Sequence, residues 1–260
     1  MRFASLGSGS HGNATLVEVR ATCLMIDCGF SCKETEKRLQ QLGISPDSID
    51  AILVTHEHSD HISGVARYSR RHGTPVWMTS GTEAMHQGGE VAELNIFNSH
   101  QSFSIGDIEI QPFPVPHDAR EPCQFVFSDG QYRLGLLTDT GSITRHMVEA
   151  LEGLDALILE FNHDPDMLAD GPYPLGLKAR VSGDFGHLSN AQAADLLGRL
   201  DLGRLKQLVA AHLSEKNNHP ELAREHVENA LGGHNVDIYI ADQLVGIPWK
   251  NLIQNRLLPN

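Results

Sequence analysis

The chain has 260 residues, of which 40% are hydrophobic and 20% charged, a balance that can bury a full core and excludes a disordered or fibrous chain. Lys and Arg number 20 against 33 Asp and Glu, a formal charge of -13, so no global positive field gathers nucleic acid or anionic membrane. Four cysteines without a CxxC pair are no disulfide framework, and the N-terminal residues reach Gly7-Ser8-Gly9 before a signal core can form. No stretch approaches the roughly 20 apolar residues of a membrane span. A cytoplasmic protein, folded as one domain over residues 1–260, is expected.

In chain order, residues 14–19 and 23–27 are β-rich around a turn, 33–42 carry helical spacing, and 51–54 form the continuous apolar run of a buried strand. A helix is expected over 61–72, a strand over 75–78, a second helix over 82–86 and a loop over 88–100. Strands follow at 108–115, 124–127 and 132–138, the last two joined by a turn at Ser128-Asp129-Gly130. The remainder alternates: helix 144–151, strand 156–161, a Gly/Pro-rich loop 171–176, helix 190–200, strand 205–211, a helix from Pro220 to Leu231, and strands at 236–240 and 244–247. This order is compatible with two sheets between outer helices, an α/β protein.

The chemistry concentrates in His56-Glu57-His58-Ser59-Asp60-His61, directly after the strand 51–54. Residues two apart on extended chain face the same way, so His56 and His58 can serve one cation, while Asp60 and His61, where the chain turns, can face a second about 3.5–4 Å away. A histidine-rich surface turn is the plain alternative, since the chain has 15 histidines. The preceding apolar strand, the following helix and further ligand types at later strand ends argue against it. His117, Asp139 and His212 each follow a strand, and a carboxylate at Asp139 can bridge two ions.

This pattern, a strand-terminal HxHxDH followed by His, Asp and His, resembles the metallo-β-lactamase superfamily over nearly the whole chain. The resemblance implies an αββα sandwich and two divalent metal ions. Nitrogen and carboxylate donors without thiolate accommodate zinc, manganese or iron. A narrower resemblance lies in Gly186-His187-Leu188-Ser189-Asn190 and Ala211-His212-Leu213-Ser214, which look like paired elements of the tRNase Z-like phosphodiesterase branch. Together with Gly7-Ser8-Gly9-Ser10, Gly12-Asn13-Ala14, Asp27-Cys28-Gly29, Glu160-Phe161-Asn162-His163-Asp164 and Leu177-Lys178-Ala179-Arg180, they are similar to the bacterial YycJ, VicX or WalJ group, regarded as DNA exonuclease-like. The chain departs from that group in having His11 where lysine is usual and Phe161 where a smaller residue is common. There is no long insertion between Asp139 and His187, so the extra clamping domain of the larger β-CASP nucleases is not expected.

Two cations lower the pKa of a bridging water, giving hydroxide near neutral pH, and neutralise charge on a phosphoryl oxygen. Asp60 is the candidate for orienting that nucleophile and His187 for protonating the leaving alkoxide. Glu160 and His163 are candidates for fixing ligand histidines, against a plain capping role. Lys178 and Arg180, read as alternating on a short extended piece, together with Ser10 and Asn13 in the glycine-serine loop, are candidates for binding substrate phosphate; a solvated loop and a β-turn are the plain readings. Cys28 and Cys32 read as buried small residues. The expected function is a metal-dependent phosphodiesterase acting on nucleic acid, a DNA exonuclease first. The alternatives are a phosphodiesterase of small cyclic phosphates, such as a ribosyl 1,2-cyclic phosphate, and a metal-stabilised interaction protein without turnover. A duplex-sized basic groove would favour DNA over the cyclic phosphate.

Overall fold

The computed structural model describes residues 1–252. Its strands are β1 (Arg2–Gly7), β2 (Ala14–Val19), β3 (Thr22–Ile26), β4 (Ala51–Leu53), β5 (Val76–Met78), β6 (Leu94–Ile96), β7 (Phe103–Ile105), β8 (Ile108–Pro114), β9 (Cys123–Ser128), β10 (Arg133–Leu137), β11 (Ala156–Glu160), β12 (Gln207–Ala211), β13 (Asp237–Ile240) and β14 (Ile247–Asn251). They form two seven-stranded sheets, in the orders β14-β1-β2-β3-β4-β5-β6 and β13-β12-β11-β10-β9-β8-β7. In both, an antiparallel meander leads into a parallel set, β3 to β6 in one and β10 to β13 in the other.

Side-chain alternation assigns the layers. On β11, Ala156 and Ile158 face the layer between the sheets, while Leu157 and Leu159 face outward into a second apolar cluster. On β3, Leu24 and Ile26 point inward, while Cys23 and Met25 meet a third cluster. Strands buried on both faces need uninterrupted apolar runs, which is why 51–54 and 156–159 show no alternation of polarity. Helices α1 (Cys32–Gln41) and α3 (Val65–His72) cover the first sheet, with Leu39, Val65 and Tyr68 in the third cluster. The short α2 (Ser59–Ile62) and α4 (Ser80–Met85) lie either side of α3 in the chain. Over the second sheet, α5 (Arg145–Ala150), α8 (Asn190–Arg199) and α9 (Pro220–Leu231) supply Met147, Leu196, Leu197 and Val227. The layer order is therefore αββα, as the resemblance implied, and each fully buried Leu or Ile contributes ~1.5–3 kcal/mol.

Several boundaries differ from expectation. Strand β1 is hidden in the sequence by its Ser and Gly content, and β6 occupies part of the expected loop 88–100, pairing only with β5 at the sheet edge. Two short helices, α6 (Pro165–Asp170) and α7 (Leu175–Val181), replace irregular chain after β11. Asp164 starts α6 by accepting from Met167 N (2.9 Å). The last strand starts at Ile247, not Leu244, because Asp242 accepts from Leu244 N and Val245 N in a turn that Gly246 closes at φ 60°. Among the described residues no helix is long and apolar enough to cross a membrane.

Phe125, wholly buried on β9, stacks edge-on to Phe97 with ring centroids 5.8 Å apart in the layer between the sheets. Phe125→Ala is expected to cost ~3–5 kcal/mol in urea unfolding, through lost transfer energy and the cavity left behind.

Candidate metal centre

Strands β3, β4, β8, β10, β11 and β12 all end on one edge of the sandwich, and the chain just past each end supplies the site. His56 and His61 flank the turn after β4, with His58 as the residue before α2. His117 follows β8, Asp139 follows β10, Glu160 closes β11 and His212 follows β12. Asp27, Asp139 and His212 stop their strands in the left-handed region, at φ 61°, 54° and 55°. That conformation costs an L-residue roughly 1–2 kcal/mol, so surrounding structure must hold each one there.

The seven ligand candidates converge. Donor atoms of His56, His58 and His117 lie within 4.8 Å of one another, as do those of Asp60, His61 and His212. His56 Nε2 and His117 Nε2 each stand 3.1 Å from His58 Nδ1. Asp139 Oδ2 stands 3.2 Å from His61 Nε2 and Oδ1 3.5 Å from His212 Nε2, and a donor atom of Asp139 lies within 4.8 Å of those of His56 and His61. Imidazole nitrogens packed against each other need a proton or a cation between them. Buried Asp139 Oδ2 and His212 Nε2 also have no hydrogen-bond partner among the described residues. Orphaned buried atoms of this kind are rare, and here they aim at a shared centre. The donor set thus fits divalent cations.

A further layer of contacts orients the donors. Asp27 Oδ2 accepts from His61 Nδ1 (2.7 Å), while Asp27 Oδ1 accepts from Thr55 N (2.8 Å). The Thr55 hydroxyl sits 2.9 Å from both Asp27 Oδ2 and His56 Nδ1. Gly186 O faces His117 Nδ1 at 3.0 Å. Glu160 Oε1 lies 2.8 Å from His187 Nδ1 and 3.2 Å from His212 Nδ1, and Oε2 accepts from Leu188 N (3.0 Å) and Thr140 N (3.3 Å). With Nδ1 occupied on these rings, Nε2 is left to face the centre. Gly29 is required for close approach: a Cβ there would stand 1.8 Å from Asp60 O.

Burial and neighbouring charge oppose each other throughout. Desolvation, joined by neighbouring imidazoles, holds His56 and His117 below the usual histidine range, as neutral ligands. Burial would raise Asp60 and Asp139, but the facing His61 and His212 pull both well down. Glu160, also penalised by burial, is held at about 2 by His187 and His212. For His187 burial acts downward, and the Glu160 carboxylate more than offsets it, so the ring holds a proton above the usual range.

A cavity of about 360 Å³ opens onto this centre, lined by His58, Asp60, Asp139, His187 and His212 on one side and Tyr173 and Arg180 on the other. Ser10 lines it, as expected. Asn13 does not: its Nδ2 reaches Asp60 Oδ2 (3.3 Å) and Gly9 O (3.0 Å), and its backbone N donates to Asp60 O (2.8 Å), so it holds Asp60 from outside the cavity lining. Lys178 and Arg180 are corrected too. They lie on helix α7, where residues two apart point to opposite sides. Lys178 donates to Ala169 O, away from the cavity, and Arg180 alone lines it, already paired with Asp118. Buried His163 contacts Asn162 Oδ1 (3.3 Å), and Asn162 Nδ2 in turn donates to His212 O (3.0 Å), so His163 stands one residue removed from the ligands.

Asp27, Thr55, Asp118 and Ser8 were missed in the sequence. The strand-end rule that selected His117, Asp139 and His212 also applies to Asp27, at the end of the predicted strand 23–27. Asp118 lies 3.6 Å from both His58 Nε2 and His117 Nε2 and was signalled by adjacency to His117 alone. Asp27→Asn keeps a side chain that tolerates the left-handed backbone and removes the charge facing His61. Affinity for the bound cations, measured by chelator competition, is expected to fall 10–100-fold with the fold intact.

The Beta-lactamase superfamily domain model matches residues 22–213. Exodeoxyribonuclease YycJ of Bacillus anthracis is 38% identical over 235 residues, 89% of each chain. Exodeoxyribonuclease WalJ of Streptococcus pneumoniae serotype 2 (strain D39) is 36% identical over 255 residues, 96% of this chain and 92% of that one. Among solved structures, the metallo-β-lactamase fold protein YhfI from Bacillus subtilis superposes with a TM-score of 0.74 at 16% identity, covering 96% of this chain and 99% of that one. Zn(2+)-bound PqqB from Methylobacterium extorquens gives 0.71 at 15% identity, covering 96% and 100%. Human tRNase Z, short form, gives 0.67 at 16% identity, covering 97% and 100%. The chain belongs to the metallo-β-lactamase superfamily and groups there with its YycJ and WalJ relatives.

Proposed function

We propose that the chain is a metal-dependent phosphodiesterase that removes nucleotides from DNA ends. The observation that carries the chemistry is His187, which lines the cavity beside Asp139 and His212 with Nδ1 held by Glu160. Its Nε2 makes no protein hydrogen bond among the described residues, in a cavity it shares with Asp60, Asp139 and His212. The DNA substrate is supported by the two relatives named exodeoxyribonucleases, which match most of the chain. Family membership implies divalent metals, which would be held by His56, His58 and His117 and by Asp60, His61 and His212, with Asp139 beside His56 and His61. Those nitrogen and oxygen donors suit zinc, manganese or iron.

When bound, such cations supply Lewis acidity toward a phosphoryl oxygen and lower the pKa of a water at the scissile bond. The chain's own residues do the rest. Asp60, in the cavity wall and fixed by Asn13, accepts from the attacking water and orients it. His187 gives its proton from Nε2 to the departing oxygen, and Glu160 stabilises the imidazolium until that moment. Arg180 meets a phosphate oxygen by exchanging its Asp118 partner for substrate. Ser10 offers a hydroxyl donor from the opposite rim.

Arg180 is the one Lys or Arg among the described lining residues, so the duplex-sized basic groove that would favour DNA over a cyclic phosphate is not in this lining, and the DNA assignment rests on the exodeoxyribonuclease relatives.

The manganese- and zinc-loaded protein is expected to hydrolyse duplex or single-stranded DNA from an end in preference to a cyclic phosphodiester, with turnover strongly reduced in Asp60→Asn. His187→Ala is expected to lower kcat ~10²–10⁴-fold with metal content unchanged. Activity confined to the cyclic phosphodiester would refute the DNA assignment, and unchanged turnover in His187→Ala would remove the proposed acid.

A further inference from the structure

We propose that a second cavity, adjoining the metal centre at Ser10, seats the terminal nucleoside of the strand being cut, base and sugar without a further phosphate. The inference rests on the phosphodiesterase reading above and assigns the part of the substrate beyond the scissile bond.

The cavity measures about 420 Å³, inside the roughly 300–1,000 Å³ of small-molecule sites. It shares Ser10 with the metal cavity and continues from ligand His212 along Leu213 and Ser214. A strand crossing Ser10 therefore has its phosphate at the centre and its next sugar and base here. Leu213, Pro220, Ile240 and Ala241 give apolar walls for a base, while Glu215 and Asp242 offer carboxylate acceptors for base amino or sugar hydroxyl groups. Glu215 and Asp242, opposed by no Lys or Arg among the described lining residues and with His11 and His219 as the only titratable nitrogens there, disfavour a terminal phosphate, so the seat favours an end that stops at a hydroxyl.

The walls are held in place without a ligand. Gln243 clamps the glycine-serine loop, donating through Nε2 to Gly12 O (2.8 Å) and accepting at Oε1 from His11 N (2.8 Å). Arg38 Nη1 donates to Gln243 O (3.0 Å) from α1. Opposite, Asn218 Nδ2 donates to Phe161 O (2.8 Å). Ser8 links this seat to the metal site: its N donates to Asp242 O (3.3 Å) and its Oγ accepts from His212 N (2.9 Å). A nucleoside bound here is thus fixed relative to a metal ligand through one serine, which lowers the ordering cost of binding. At the mouth, His11 Nε2 pairs with Glu215 Oε2 at 3.1 Å, so the histidine that replaces the group's usual lysine lies on this rim.

The test uses the metal-loaded full chain and free thymidine and deoxyadenosine as probes. Both nucleosides are expected to bind in calorimetry and to compete with DNA hydrolysis. Ile240→Trp, which fills the cavity, is expected to weaken that competition and raise KM for DNA ~10-fold or more, with metal content retained. Oligonucleotides ending in a hydroxyl at the attacked end are expected to be degraded ~10-fold faster than phosphate-ended ones, and Glu215→Lys, at an exposed position, is expected to narrow that ratio. Nucleosides that neither bind nor compete, an unchanged KM in folded Ile240→Trp, or a preference for phosphate ends would each overturn the proposal. Bis(p-nitrophenyl) phosphate separates the two readings. If the wild type hydrolyses neither it nor DNA, the phosphodiesterase reading fails, and nucleoside binding in calorimetry still decides the seat.

Discussion

One shared apolar layer forces two separately wound sheets to bring the carboxyl ends of six strands to a single edge. Phe3, Leu24 and Leu53 from one sheet meet Phe125, Leu136 and Ile158 from the other, and every donor of the centre leaves its strand just beyond that layer. The site is assembled from residues between 27 and 212, and no local stretch contains it. Its geometry is therefore a property of the sheet packing. Ligands bind outside the carboxyl ends of parallel strands because backbone groups there are free to turn away from the ladder.

Burying this many ionisable groups together is expensive unless each is paired. The arrangement alternates charge: Asp27 faces His61, Asp139 faces His61 and His212, and Glu160 faces His187 and His212. Asp139 Oδ2 and His212 Nε2, which make no hydrogen bond among the described residues, lie where cations would complete the balance. The strained backbone at Asp27, Asp139 and His212 is stored at the same place. Stability has been given up locally for a preorganised set of donors, and the apolar clusters either side of each sheet supply the compensation.

Much of this was legible in the residues. Apolar runs at 51–54 and 156–159 are legible because strands buried on both faces admit nothing polar along their length. The spacing of His56, His58, Asp60 and His61 follows from strand and turn geometry, and the structure brings their donor atoms together. Strand β1 was not legible, since Ser5 and Gly7 read as turn chemistry until β2 and β14 pair on either side. Lys178 and Arg180 misled because a short Leu-Gly-Leu-Lys segment carries too few residues to separate period 2 from period 3.6. Asn13 looked like a phosphate donor because its role depends on Asp60, 47 residues away. Asp27 carries the strand-end signal, but its pairing with Thr55, 28 residues away, carries no local pattern.

Strand β14 lies beside β1, with Asn251 opposite Arg2, so the first sheet joins the two most distant parts of the described chain. Contacts of such separation carry a large loop-closure entropy and form late in folding. The turn from Ala241 to Gly246 that ends at β14 also carries Gln243, whose side chain fixes the loop at His11 and Gly12. During synthesis the metal ligands up to His212 are thus available before that loop is anchored. Maturation of the cavity rim is tied to β14, the last of the described strands in chain order, and a nascent chain holds its donor residues before it holds a finished cleft.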